Sequence, residues 1–256
     1  MSMQDNTKDA SIEKAFRSFF DKVLTVLPEQ VKEDLKVNIA VIGVTGVGKT
    51  TTCNALLGTT WKVGHTEATT RELQAKQLVR VENGQQTLTN VYITDFPGLG
   101  ESLSRDKEYL ALYIENLSKF DIIIWLLPAN ERQVANIQVY CKELEKVDGF
   151  TSKIIFGLNK ADLVEPMEWG SGGANLPSKE QEYNIEKRVE DFISKMHSEG
   201  MNYVTSRRVA AFSAKYGWRV WEMFEYTRAI LQAQKRVSLS RYSQTMEWEP
   251  YQQNNL

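Results

Sequence analysis

Val37-Asn38-Ile39-Ala40-Val41-Ile42-Gly43-Val44-Thr45-Gly46-Val47-Gly48-Lys49-Thr50 is the stretch whose reading decides the fold. Val37 to Ile42 is a short β-branched run of the kind that forms a buried strand. Gly43 to Thr50 then fits G-x-x-x-x-G-K-[ST], and a helical pattern continues through Leu57. Strand, glycine-rich turn and helix in that order form an anion cradle. The glycines let the backbone of Gly43, Thr45, Gly46, Val47 and Gly48 curl so that N–H groups face phosphate oxygens. The helix N-terminus adds its positive dipole end. In such a cradle Lys49 reaches the β- and γ-phosphates, the Thr50 hydroxyl holds Mg²⁺, and Thr51 contacts the α-phosphate. The pattern specifies a nucleoside triphosphate and leaves the base open.

Working outward, Glu72 to Glu82 and Leu88 to Asp95 read as two strands joined by a turn at Asn83-Gly84. Further strands are expected at Asp121–Leu127, Lys153–Leu158 and Ser206–Phe212. Helices are expected near Arg105–Ser118, Arg132–Lys146, Lys179–His197 and Trp218–Ala233. Glu165 to Pro177, with Gly170, Gly172 and Gly173, reads as an exposed loop. Strand–helix alternation implies a mostly parallel sheet covered on both faces, and the hairpin makes it mixed. The expected architecture is α/β: a six-stranded sheet between two helical layers.

Three more strings lie at the ends of these strands, where open α/β sheets bind ligands. In Asn159-Lys160-Ala161-Asp162, the Asp162 carboxylate can accept from the N1–H and the exocyclic amine of guanine. Adenine lacks that donor pair and would leave the acceptor unpaired. The Lys160 stem would lie over the base, and Asn159 would tie this loop to the phosphate loop. In Asp95-Phe96-Pro97-Gly98, Asp95 can hold Mg²⁺ through water and the Gly98 N–H can meet the γ-phosphate. Ser213-Ala214-Lys215 would place a backbone N–H on guanine O6.

This ordered set resembles the Era-like branch of the translation-factor-related GTPases, over about Val37 to Ala233. Thr70-Arg71-Glu72, Arg105-Asp106-Lys107-Glu108-Tyr109 and Phe212-Ser213-Ala214-Lys215-Tyr216-Gly217-Trp218 are similar to the bacterial YfjP/YeeP-type subfamily of predicted GTPases. The resemblance implies GTP hydrolysis with Mg²⁺ in a P-loop NTPase domain of the small-GTPase type, acting as a slow switch. It implies a switch threonine before an arginine, which selects Thr70 over its competitors Thr66 and Thr69 to close on Mg²⁺ and the γ-phosphate. Lys49, Thr70 and Gly98 are then the catalytic group, and Thr50, Thr70 and Asp95 the metal group. Two departures bear on mechanism. Leu99 stands where many such enzymes carry a water-positioning glutamine, so a partner or a second protomer would have to align water. Gly46 stands where some relatives carry an asparagine linked to potassium activation.

Composition narrows the remaining classes. A net charge of -2 gives no global basic field for nucleic acid or anionic lipid. No KH-type GXXG lies after Gly217. Two cysteines, Cys53 and Cys141, cannot make a disulfide framework, and with only His65 and His197 a structural metal site lacks material. The polar start, Met1 to Ser11, has no signal-peptide core, and a reducing cytoplasm is the expected home. Ile12, Phe16, Phe19, Val23 and Leu27 form one face of an amphipathic helix that Pro28 ends. The expected organisation is an N-terminal extension over 1–35, a nucleotide-binding domain over 36–235 and a polar tail over 236–256. Two other readings compete: a membrane-associated protein like dynamin-related or immunity-related GTPases, and a nucleotide-dependent binding module with negligible hydrolysis. The expected partners are an effector protein and a second copy. His65, Glu101, Trp218 and Trp221 read as bystanders or packing residues.

Overall fold

The computed structural model describes residues 37–57, 73–82, 85–132, 134–170 and 176–220, and within the last helical stretch 222–223, 225–227 and 229–231. The chain runs β1 (Val37–Gly43), α1 (Lys49–Leu57), β2 (Gln74–Glu82), β3 (Gln85–Asp95), α2 (Leu103–Asn116), β4 (Ile122–Pro128), α3 (Ala135–Leu144), α4 (Phe150–Lys153), β5 (Ile154–Asn159), α5 (Lys179–Ser198) and β6 (Val209–Ala211). These strands make one six-stranded sheet in the order β2-β3-β1-β4-β5-β6. Only β2 runs antiparallel, against β3. The expected mixed, mostly parallel sheet is what forms.

β1, β4 and β5 are apolar on both faces, as strands covered on both sides must be. Alternate residues divide between two cores. Ala40, Ile42, Trp125 and Phe156 face one side, where Tyr113, Cys141, Ile185 and Phe192 from α2, α3 and α5 cover them. Ile39, Val41, Ile124 and Ile155 face the other, where Cys53 of α1 and Val220, Met223 and Leu231 of the last helical stretch pack. Trp125 stacks on Phe156 at 6.1 Å between centroids, filling the first core.

Several boundaries differ from the sequence reading. β6 is only Val209–Ala211, because Ser206–Arg208 closes into a 3₁₀ turn. The final helical stretch starts at Val220 rather than Trp218. Trp218 instead bridges back to Ser213, with Gly217 and Arg219 at positive φ. α3 is shorter than Arg132–Lys146, and α4, which no pattern announced, precedes β5. Glu82 pairs with Gln85 across the expected hairpin turn, whose residues Asn83 and Gly84 lie outside the described set. The expected N-terminal helix, the polar tail and Trp221 also lie outside it. Among the described residues no helix is long and apolar enough to cross a membrane.

Candidate functional site

The parallel register carries the C-terminal ends of β1, β3, β5 and β6 to one edge, and every described motif residue sits there. Gly43 ends β1, and the turn through Gly48 leads straight into α1 at Lys49. Gly48 has φ +92, and a Cβ there would lie 2.8 Å from the Asn159 amide nitrogen. Close approach of the two loops therefore demands a glycine. Val47 is buried beneath the turn.

At the cradle's floor the Thr50 hydroxyl donates to Asp95 at 2.8 Å, both residues buried. A hydroxyl and one carboxylate are hard oxygen donors of the type Mg²⁺ takes alongside phosphate oxygens and water. No cluster of three or more His, Cys, Asp or Glu occurs among the described residues, so no all-protein metal cage competes with that arrangement. The Lys49 amine donates to the carbonyls of Val44 at 3.1 Å and Gly43 at 3.4 Å. Burial pushes its pKa down, partly offset by nearby Asp95. An ammonium whose burial outweighs its nearby carboxylates gains from an incoming anion.

Asp95 ends β3, and Phe96–Gly100 turns back over the cradle. Thr45 N–H donates to the Leu99 carbonyl at 2.7 Å, and Leu99 N–H to the Gly43 carbonyl at 3.1 Å. The Thr45 hydroxyl donates to the Gly98 carbonyl at 3.1 Å. The Leu99 side chain is fully buried in the core with Phe96 and Tyr113.

The base end is woven from side chains. Asn159 donates to the Val47 carbonyl at 2.9 Å and accepts from the Ala214 N–H at 3.0 Å, joining three loops. The Ser213 hydroxyl donates to the Asp162 carboxylate at 2.6 Å. Lys160 adopts positive φ, which turns the chain into the 3₁₀ turn Ala161–Leu163. Trp169 stacks on Tyr216 at 5.1 Å and meets Trp218 edge-on, bracing the loop that holds Lys215. Lys215 is exposed, with its amine over the Tyr216 ring. Thr51 is half-buried on α1. Thr66, Thr69, Thr70 and His65 lie outside the described residues.

The family of 50S ribosome-binding GTPases matches residues 38–160, the stretch from β1 to the Asn159 loop. Over those residues the chain is similar to a P-loop GTPase domain.

Two curated relatives of this chain come from Escherichia coli K12. YfjP is 35% identical over 152 residues, covering 59% of this chain and 49% of that protein. YkfA is 35% identical over 182 residues, covering 66% and 59%. Both are uncharacterized, and the chain spans only about half to three-fifths of their length. Among solved structures, Toc33 of Arabidopsis thaliana in complex with Mg²⁺ and GMPPNP superposes with TM-score 0.58, over 88% of this chain and 94% of that one, at 16% identity. That likeness speaks for the fold. For Toc33 and Toc159, dimerization is described as important for GTPase activity.

Two residues of the candidate site escaped the sequence reading. Gln181, on the first turn of α5 and fully buried, donates to the Asp162 carbonyl at 3.2 Å and the Val164 carbonyl at 2.7 Å. It holds the base loop from behind. A glutamine three residues after Ser178, which caps α5, looks like the end of a capping box, so its pattern pointed elsewhere. Asp106, likewise buried, accepts from the Gly100 N–H at 2.7 Å. The only signal was its place in a string that resembled relatives.

Proposed function

We propose that this chain binds GTP and GDP with Mg²⁺ and hydrolyses GTP slowly, as a switch read by another protein. One observation carries the reading. Asn159 bonds at once to Val47 of the phosphate cradle and to the loop of Ser213, which grips Asp162, so cradle and base carboxylate face one crevice. Asp162 selects guanine, Lys160 flanks the base, and Lys49 neutralises the β- and γ-phosphates. Thr51 contacts the α-phosphate. Thr50 and Asp95 hold Mg²⁺, with Thr70 closing the site, and Gly98 meets the γ-phosphate. The Ser213 and Ala214 amides already bond to Trp218 and Asn159. Guanine O6 therefore takes over the Ala214 N–H or uses that of Lys215. Residues 36–235 form the nucleotide-binding unit, with 1–35 and 236–256 as its extensions.

Mg²⁺ held by Thr50 and Asp95 would supply charge neutralisation at the phosphates. The protein's own part is to hold the phosphate chain by backbone N–H groups and Lys49. Leu99 is buried and cannot align water, so turnover is slow until a partner or a second copy supplies that group. Competition binding tests the base assignment: GTP and GDP displace a fluorescent guanine nucleotide, and ATP does not. Equal competition by ATP would overturn it.

The burial of Leu99 also favours a second reading, a nucleotide-dependent binding module without meaningful turnover. Single-turnover decay of GTP at high protein concentration separates the two. Decay at the uncatalysed rate selects the module.

A further inference from the structure

Asp106 is a buried carboxylate that neither the cradle nor the base pocket uses. It lies in the first turn of α2, and its two oxygens serve different elements. Oδ1 accepts from the Gly100 N–H at 2.7 Å, and Oδ2 accepts from the Tyr140 hydroxyl of α3 at 2.6 Å. Both are charge-assisted bonds of the strong kind. Burial and the bond to Asp106 together push the Tyr140 phenol up to about 12. The neighbouring Tyr113 hydroxyl donates to the Pro97 carbonyl, so the loop Pro97–Gly100 is held from behind at both ends.

The opposite side of that loop presses on the cradle. The Thr45 amide is spent on the Leu99 carbonyl at 2.7 Å. Gly98 lies so near that a Cβ there would come within 2.7 Å of the Lys49 amine and 2.8 Å of the Thr45 Cα. A terminal phosphate reached by Lys49 therefore competes with the loop for the Thr45 amide and for the space beside Gly98, whose N–H meets that phosphate only once the loop backs away. A diphosphate stops short of it.

We propose that Asp106 and Tyr140 are positioning residues that hold Gly98–Gly100 down on the phosphate cradle and thereby bias the site toward a diphosphate over a triphosphate. The inference rests on the guanine-nucleotide reading above. It also makes α3 a lever on nucleotide preference, since whatever displaces Tyr140 loosens the loop.

The test is the ratio of GMPPNP to GDP dissociation constants, measured with Mg²⁺ on the full chain. Asp106→Ala removes both bonds and is expected to shift the ratio toward GMPPNP by about tenfold. Tyr140→Phe removes one and shifts it by about threefold. Asp106→Asn keeps an acceptor for Gly100 and a polar partner for Tyr140, and restores a ratio near that of the unmodified chain. If both constants move together in every variant, or neither moves, the residues are merely structural and the proposal fails. Should Asp106→Ala not fold, Tyr140→Phe, which keeps the ring, decides alone. An unmodified chain that binds neither nucleotide overturns the underlying reading. One that binds both, with a ratio the variants leave unmoved, overturns only the latch.

Discussion

At the base end of the crevice side chains grip loops: Ser213 bonds to Asp162, Asn159 to Val47, and Gln181 to the carbonyls behind Asp162. At the terminal-phosphate end backbone meets backbone, Thr45 to Leu99 and Leu99 to Gly43, with the Lys49 amine resting on loop carbonyls. The first set leaves the recognition groups in place as a ligand arrives. The second uses the very donors a phosphate would claim. On the proposed reading such a crevice would separate two tasks, recognising the base with a preformed pocket and sensing the phosphate by exchange of partners.

The sharpest way to break that contrast is Lys49→Ala. It removes two charge-assisted contacts to phosphate, each worth roughly 1.5–3 kcal/mol, so triphosphate affinity should fall about 1,000-fold in a fluorescence titration. A fall shared equally by guanosine itself would place the damage in the base pocket instead. Asp162→Asn should weaken GTP by about 100-fold and let xanthosine triphosphate gain, because the amide presents a donor where guanine needs an acceptor. GTP affinity left intact, with no gain for the xanthine base, would show that another group reads the base.

Leu99→Gln probes the boundary between the two ends. Its buried position leaves an introduced amide unsatisfied at a cost of about 1–3 kcal/mol, visible as a lowered denaturant midpoint. No acceleration of GTP hydrolysis should accompany it. A clear rate gain would mean that residue 99 can swing out to the phosphates. The smallest effect concerns the two cysteines, each in one of the two cores. Burial pushes both thiols well up, so both should resist alkylation at neutral pH in the native chain and react promptly in denaturant. Fast labelling of Cys53 alone would show that the α1 layer opens independently.

Much of this was legible in the residues because the chemistry demands them. The apolar runs of β1, β4 and β5 cannot be anything but central strands once turns bound them, and the quoted motifs fall at the ends of β1, β3, β5 and β6. What stayed hidden depends on partners distant in the chain. Leu99 read as a missing catalytic group, and only its packing beside Phe96 and Tyr113 shows a core residue. Gln181 lies 19 residues from the carbonyl it holds, and Asp106 lies 34 from its tyrosine. No local periodicity records such pairings. The start of the last helix was misplaced because Trp218 is drawn into a bridge with Ser213, a choice set by the loop's closure rather than by helix propensity.

α5 has a mechanical meaning beyond its share of the core. Its 20 residues make a rod about 30 Å long. Gln181 fastens one end to the guanine loop. Midway, Arg188 grips the carbonyls of Ala129 and Glu131, and Lys195 reaches that of Arg132. Helices bend more readily than they stretch, so the loop beyond β4 and the loop beyond β5 are yoked at fixed spacing. The exposed turn at Asn130–Arg132 and the loop of Asp162 thus hang from one helix, at opposite points along its length.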